Sequence, residues 1–153
     1  MWHTFSYVSF EPPTAPARVY RPILRLEIVA GRNRFPCLGI VDTGADFCAF
    51  PMSFGLALGL NPLTQVPTQS TGAGGAGSAP TYHFDVELKI PDLGSFNVHA
   101  GFLESLNPVG LGLLGHLDFL DRMKAMFDPK ALVFHLEIPD QPQPSSVSWL
   151  TQP

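Results

Sequence analysis

One carboxylate draws attention first, because an ionisable group at the end of an apolar run is costly to bury. Leu38, Gly39, Ile40 and Val41 lead into Asp42, and Thr43, Gly44, Ala45 and Asp46 follow it. An aspartate in such a place can serve as a general base toward water or, when protonated, as a general acid. It can equally cap a turn, since Asp side chains accept hydrogen bonds from backbone amides two residues on. Position alone favours that plainer role.

Other residues with chemical potential are weaker candidates. Gly72, Gly74 and Gly77 satisfy the spacing G-x-G-x-x-G, but Pro80 and an alternating strand follow where a dinucleotide site needs a helix. No Lys-Ser or Lys-Thr closes these glycines, so a P-loop is excluded as well. An aspartyl nucleophile of the haloacid-dehalogenase type wants a second Asp two residues after the first, and that position is Gly44. His3, His83, His99, His116 and His135 are scattered without the i, i+4 pair of a helical zinc site, and they read as surface or hydrogen-bonded residues. No metal and no cofactor are expected. Cys37 and Cys48 flank the Asp42 segment, yet two thiols do not make a disulfide framework, and both read as small buried hydrophobes. Cys48 as a nucleophile would need a positioned histidine, which the sequence does not reveal.

Short elements must position Asp42. Over residues 23–29, Leu24, Leu26 and Ile28 alternate with Arg25 and Glu27, the pattern of a half-buried strand. Gly31, Arg32 and Asn33 supply a turn, and residues 35–41 return as the second arm of a hairpin that ends at Asp42. Residues 52–60 allow a short helix, although Gly55 and Gly59 weaken it. Residues 64–80 mix Thr, Ser, Gly, Ala and Pro around Gly72, Gly74, Gly75 and Gly77, which predicts a mobile loop or hairpin tip. Tyr82, Phe84, Val86, Leu88 and Ile90 then alternate with His83, Asp85, Glu87 and Lys89, the cleanest period-2 stretch in the chain. A turn over residues 91–94 leads to a strand over 96–102. An apolar run over 111–114 ends at Gly115, residues 116–123 suggest a short helix, and a last hairpin turns at Asp128, Pro129 and Lys130.

The totals set the frame. A chain of 153 residues is one ordinary domain. Charged residues make up only 14%, the net charge is −4 and no Lys/Arg cluster occurs, so there is no electrostatic footprint for nucleic acid. Sixteen prolines and fourteen glycines exclude long helices over most of the length. No run of eighteen apolar residues and no secretory leader is evident, which reads as a soluble, cytoplasmic protein with no membrane partner. Residues 1–21 read as an N-terminal arm and linker, and residues 139–153 as a disordered Pro/Ser/Gln tail.

The segment from Ile40 to Asp46 resembles the active-site signature of the retropepsin-like aspartic proteases. A second element of that family, an apolar pair followed by glycine beneath the active-site loop, is matched by Leu113, Leu114 and Gly115. Between them, residues 71–78 stand at the place of the flap that closes over substrate. The resemblance implies a mainly β, closed-barrel fold with one or two short helices, and a protease domain over residues 22–138. It implies Asp42 as the catalytic residue, with Thr43 and Gly44 supporting the active-site loop. Ala45, Asp46, Thr71, Gly72, Ala73, Gly74 and Gly75 would then contact a peptide substrate.

The chain departs from the pattern at His116, where viral members commonly carry an Arg that pairs with the acidic residue after the signature. A protonated His116 could still pair with Asp46. Stoichiometry is the stronger constraint. Hydrolysis in this family needs two carboxyls sharing one proton, and the chain holds a single Asp-Thr-Gly and no Asp-Ser-Gly. A C2 homodimer is therefore expected. The competing reading keeps the fold as a catalytically silent, dimeric peptide-binding or scaffold module. Excision of the chain from a longer protein is a further alternative that the Pro-rich ends would suit.

Overall fold

The computed structural model describes residues 1–11, 17–72 and 77–139. The two arms of the predicted hairpin are β4 (Ile23–Ala30) and β5 (Asn33–Val41), preceded by β1 (Trp2–Ser6), β2 (Val8–Phe10) and β3 (Val19–Arg21). Pairing of Ala30 with Asn33 leaves a two-residue connection in which Gly31 takes φ +59°, a conformation glycine adopts without strain. Leu24, Leu26 and Ile28 are buried, whereas Arg25 is exposed, as the alternation requires.

Strand β6 (Ala49–Pro51) and helix α1 (Met52–Ala57) follow. The helix is shorter than its apolar stretch because Gly59, at φ +81°, ends it. Leu60 N–H donates to Gly55 O at 2.9 Å and Gly59 N–H to Leu56 O at 3.0 Å, which satisfies carbonyls that would otherwise be orphaned. Gly55 has its own reason: a Cβ there would lie 2.9 Å from the Phe102 ring, so glycine lets the helix settle on the sheet.

Strand β7 (Thr68–Thr71) leads to the two longest strands, β8 (Ser78–Ile90) and β9 (Gly94–Leu103), after which come β10 (Gly112–Leu114), β11 (Lys124–Asp128) and β12 (Val133–Glu137). Strands β4, β5, β10, β6, β9 and β8 are hydrogen-bonded in that order, and β8 pairs back onto β4 through Glu27–Lys89, Ile28–Leu88 and Val29–Glu87. This closes a six-stranded barrel, mainly β as expected, with β7 extending from β8. A separate three-stranded sheet, β1-β12-β11, lies in the segments that begin and end the described chain, and β2 pairs with β3.

Residues 116–123 do not form the helix expected of them. Asp118 adopts φ +65°, a left-handed conformation that interrupts a right-handed helix, and only a 3-10 turn over Leu120–Arg122 forms.

The core joins Leu24, Ile28, Phe50, Leu88, Phe102, Leu114 and Phe119 in one cluster. Phe102 is fully buried, with its ring 5.8 Å from that of Phe50 and 5.9 Å from that of Phe84. Phe102→Ala is expected to destabilise the fold by about 3–5 kcal/mol, through lost transfer energy plus the cavity left behind. Denaturant unfolding of the two proteins checks this value. Cys37 and Cys48 are free thiols, and burial pushes each up to about 12, so neither is a thiolate at neutral pH.

Candidate active site

Strand β5 delivers Asp42 to the end of the barrel. The parallel pairing of β10 with β5 sets Gly112 beside Gly39, Leu113 beside Ile40 and Leu114 beside Val41. That register continues one step further, where Asp42 N–H donates to Leu114 O at 3.0 Å, and Val41 N–H is held by Pro22 O at 2.8 Å. The last strand residues are thus clamped from two sides before the chain turns.

The turn itself is built by the aspartate. Gly44 N–H donates to Asp42 Oδ1 at 2.8 Å, and Ala45 N–H donates to Asp42 O at 3.2 Å. A Cβ on Gly44 would stand 3.2 Å from Asp42 Oδ1, so glycine allows the amide its close approach. Asp42 is half-buried, while Thr43 and Gly44 are exposed. One carboxylate oxygen is therefore held by the turn, and among the described residues no hydrogen bond is made by Oδ2 or by the Thr43 hydroxyl. The capping role posed by the sequence is thus realised through Oδ1.

The segment after β10 supports the loop from beneath. His116 N–H donates to Ala45 O and Leu117 N–H to Asp46 O, each at 2.9 Å, and Phe47 forms a bridge with Leu117. Gly115 is buried at the crossing, where a Cβ would meet Phe47 O at 2.4 Å and Ala45 O at 2.6 Å. Leu114 is fully buried and Leu113 half-buried. The apolar pair and glycine thus lie against the loop.

His116 corrects an expectation. Its Nε2 hydrogen-bonds the Thr43 carbonyl at 2.8 Å, so Nε2 carries a proton and donates, and the ring does not pair with the Asp46 carboxylate within the chain. A neutral imidazole protonated at Nε2 can make this bond.

Thr71 closes the β7–β8 ladder opposite Ser78, and both it and Gly72 are exposed. Ala73, Gly74 and Gly75 lie outside the described residues. Concavities of about 430 Å³, lined by Arg25, Glu27, Lys89 and neighbours, and of about 330 Å³, lined by Tyr82, Glu104 and neighbours, do not include Asp42.

Some residues that hold the loop carry no sequence signal of their own. Phe47 packs its ring where a Cβ on Gly101 would stand, 2.7 Å from Phe47 Cε2 and 2.6 Å from Thr81 Cγ2. Thr81 is fully buried and donates to Ser70 Oγ at 2.6 Å, tying β8 to β7. His83 and His99 stack in parallel, with centroids 5.1 Å apart at 10°, although sequence places them sixteen positions apart. The turn over residues 91–94 was the usable signal, because a hairpin bent there sets residue 85 opposite 99.

Comparison with known proteins agrees with this geometry. A family model described as aspartyl protease matches residues 28–116. A retropepsin-like aspartic protease from Rickettsia conorii is 17% identical, with a TM-score of 0.51 over 74% of this chain and 87% of that one. EIAV protease complexed with the inhibitor HBY-793 is 23% identical, with a TM-score of 0.45 over 63% of this chain and 82% of that one. No curated protein matches. The family match runs from the middle of β4, through the Asp42 turn, to the residue after Gly115, more than half of the sequence, and the chain belongs to the aspartyl protease family with a retropepsin-like fold.

Proposed function

We propose that the protein is an aspartic endopeptidase that works as a C2 homodimer, with Asp42 of each chain supplying one half of the catalytic pair. One observation carries the reading: a single Asp-Thr-Gly turn holds one carboxylate oxygen and leaves the other without a hydrogen bond among the described residues. Hydrolysis by this route needs two such groups. One carboxylate takes a proton from water as the oxygen attacks the peptide carbonyl carbon, and a second, protonated carboxyl gives its proton to the carbonyl oxygen. Collapse of the resulting diol breaks the C–N bond, and the leaving nitrogen takes up a proton. Carboxyls this close share one proton, and the two macroscopic pKa values belong to the pair.

In this reading residues 22–138 form the catalytic unit, with β1 of the N-terminal arm completing the sheet at its base. Thr43 and Gly44 shape the loop, and the free Thr43 hydroxyl is available to the other copy. Ala45, Asp46, Thr71 and Gly72 line the path of an extended peptide, which binds by strand-like hydrogen bonds. No nucleic acid and no membrane enter the scheme. Among the described residues no helix is long and apolar enough to cross a bilayer, and no group of three or more His, Cys, Asp or Glu side chains is arranged to hold a metal ion.

Unfolded casein incubated with the protein between about pH 4 and about pH 7 should be cleaved, and a statine-type inhibitor should stop the cleavage. Sedimentation velocity on the same sample should show a dimer. A dimer that leaves casein intact at every pH would instead identify a peptide-binding module of the same fold. A strictly monomeric but active protein would overturn the shared pair.

A further inference from the structure

The His83 ring contains a buried polar atom without a partner, which native structures tolerate only for a reason. Nδ1 has no hydrogen bond among the described residues, while Nε2 lies 3.1 Å from Thr68 Oγ1. The ring contacts three elements. Thr68 belongs to β7, one arm of the hairpin that extends from the barrel. Phe47, one residue after Asp46 on the active-site loop, meets the imidazole edge-on with centroids 4.9 Å apart. His99, from β9, stacks on its other side at 5.1 Å.

We propose that His83 is a positioning residue that couples the β7–β8 hairpin to the loop carrying Asp42, and that it does so only while uncharged. The neutral ring with its proton on Nε2 donates to Thr68 Oγ1, and Nδ1 remains a buried lone pair without a partner among the described residues. A second proton would turn Nδ1 into a buried N–H with no acceptor and place a full charge beside a second histidine. The surrounding charges do not rescue it. Asp85, on the same strand, is engaged at 2.7 Å by His99 Nδ1; Asp118 accepts the His99 backbone N–H at 3.1 Å and pairs with Arg122 at 3.1 Å. Thr68 and Phe47 bring no charge, and Asp46 is exposed. In agreement, burial of the ring, aided by nearby His99, lowers the His83 pKa from its ordinary value.

The sign follows from linkage. Any state in which the hairpin detaches and exposes the ring binds a proton more readily than the packed state, so acid favours the detached state and rising pH favours coupling. For a peptidase the consequence is an acid limit on turnover set by a histidine outside the carboxyl pair. That consequence rests on the function proposed above, whereas the coupling itself does not.

Hydrogen exchange in Asp42→Asn protein separates the two, because it removes the titration of the catalytic pair. After correction for intrinsic rates, amides of residues 68–71 and 78–82 should lose about tenfold in protection between about pH 7 and about pH 5, relative to residues 133–137. In the Asp42→Asn protein that also carries His83→Gln, whose amide can still donate to Thr68, the relative loss should vanish. An equal loss in both proteins, or none in either, overturns the proposal. If the glutamine variant does not fold, NMR titration of the His83 ring in the parent protein decides: a midpoint at or above about 6.5 overturns it. In otherwise wild-type enzyme, His83→Gln should shift the acid limb of kcat/KM to lower pH. A wild type that cleaves nothing would defeat the peptidase reading and leave the exchange result standing.

Discussion

Asp42→Asn is expected to lower peptidase activity by at least about 10³-fold while the fold persists. The asparagine oxygen can accept the Gly44 amide as Asp42 Oδ1 does at 2.8 Å, so the turn survives, and unfolding free energy should change by less than about 1 kcal/mol. What disappears is the ability to take a proton from water. Hydrolysis of a peptide substrate and denaturant unfolding, run on the same preparations, check both halves of the statement. A mixing experiment then tests whether the pair is shared. If each active unit needs one Asp42 from each of two chains, equal amounts of wild type and variant, allowed to exchange subunits, retain about one quarter of the activity of the same total of wild type. Independent chains would retain about one half. An Asp42→Asn protein with full activity would remove the assignment altogether.

Gly115→Ala is expected to be the most damaging single methyl in the structure. The added carbon would lie 2.4 Å from Phe47 O and 2.6 Å from Ala45 O, and both contacts are backbone, so no side chain can swing aside. Relief requires the strand end and the active-site loop to part, which would strain the bonds from His116 and Leu117 to Ala45 and Asp46. Overpacking of this kind costs about 3 kcal/mol or more. Residual folded protein should also lose activity, because the same displacement moves Asp42 away from the position that a second carboxylate must meet. Thermal unfolding and the peptidase rate together separate these effects: an alanine variant as stable and active as wild type would show that the crossing relaxes freely. Gly44→Ala, whose nearest contact is the Asp42 side chain at 3.2 Å, should be milder in stability.

The two substitutions illustrate different kinds of legibility. Asp42 announces itself in one dimension, because an apolar run, an acid and a glycine turn are adjacent in the chain, and adjacency is what a signature records. Gly115 is recognisable only by its resemblance to a family element; the reason for it, two carbonyls of a loop seventy residues earlier, exists only after the chain has folded. Much the same holds for His116, whose type suggested a salt bridge with Asp46. Its actual partner is a backbone carbonyl, and no residue type advertises a free carbonyl.

Local periodicity was enough for β4 and β8, since alternation of apolar and polar side chains is a property of each strand by itself, and the turns that follow them announced β5 and β9. It misled over residues 116–123, where helical spacing was present but Asp118 turns into the left-handed region, leaving a single 3-10 turn. Pairings between distant segments were beyond its reach. The meeting of β1 with β12, the parallel contact of β10 with β5 and the return of β8 onto β4 are each set by the closure of the barrel as a whole.

By itself, then, the order of residues singled out Asp42 as the candidate for the chemistry and showed that one copy carries a single Asp-Thr-Gly, because both are matters of composition and adjacency. Only the tertiary structure decided what holds that group in place: a carbonyl above His116, a glycine where two backbones cross, and a histidine pair brought together by the bend of a hairpin. The physical reason is that such contacts depend on distance in space, and folding makes neighbours of residues whose separation along the chain gives no hint of it.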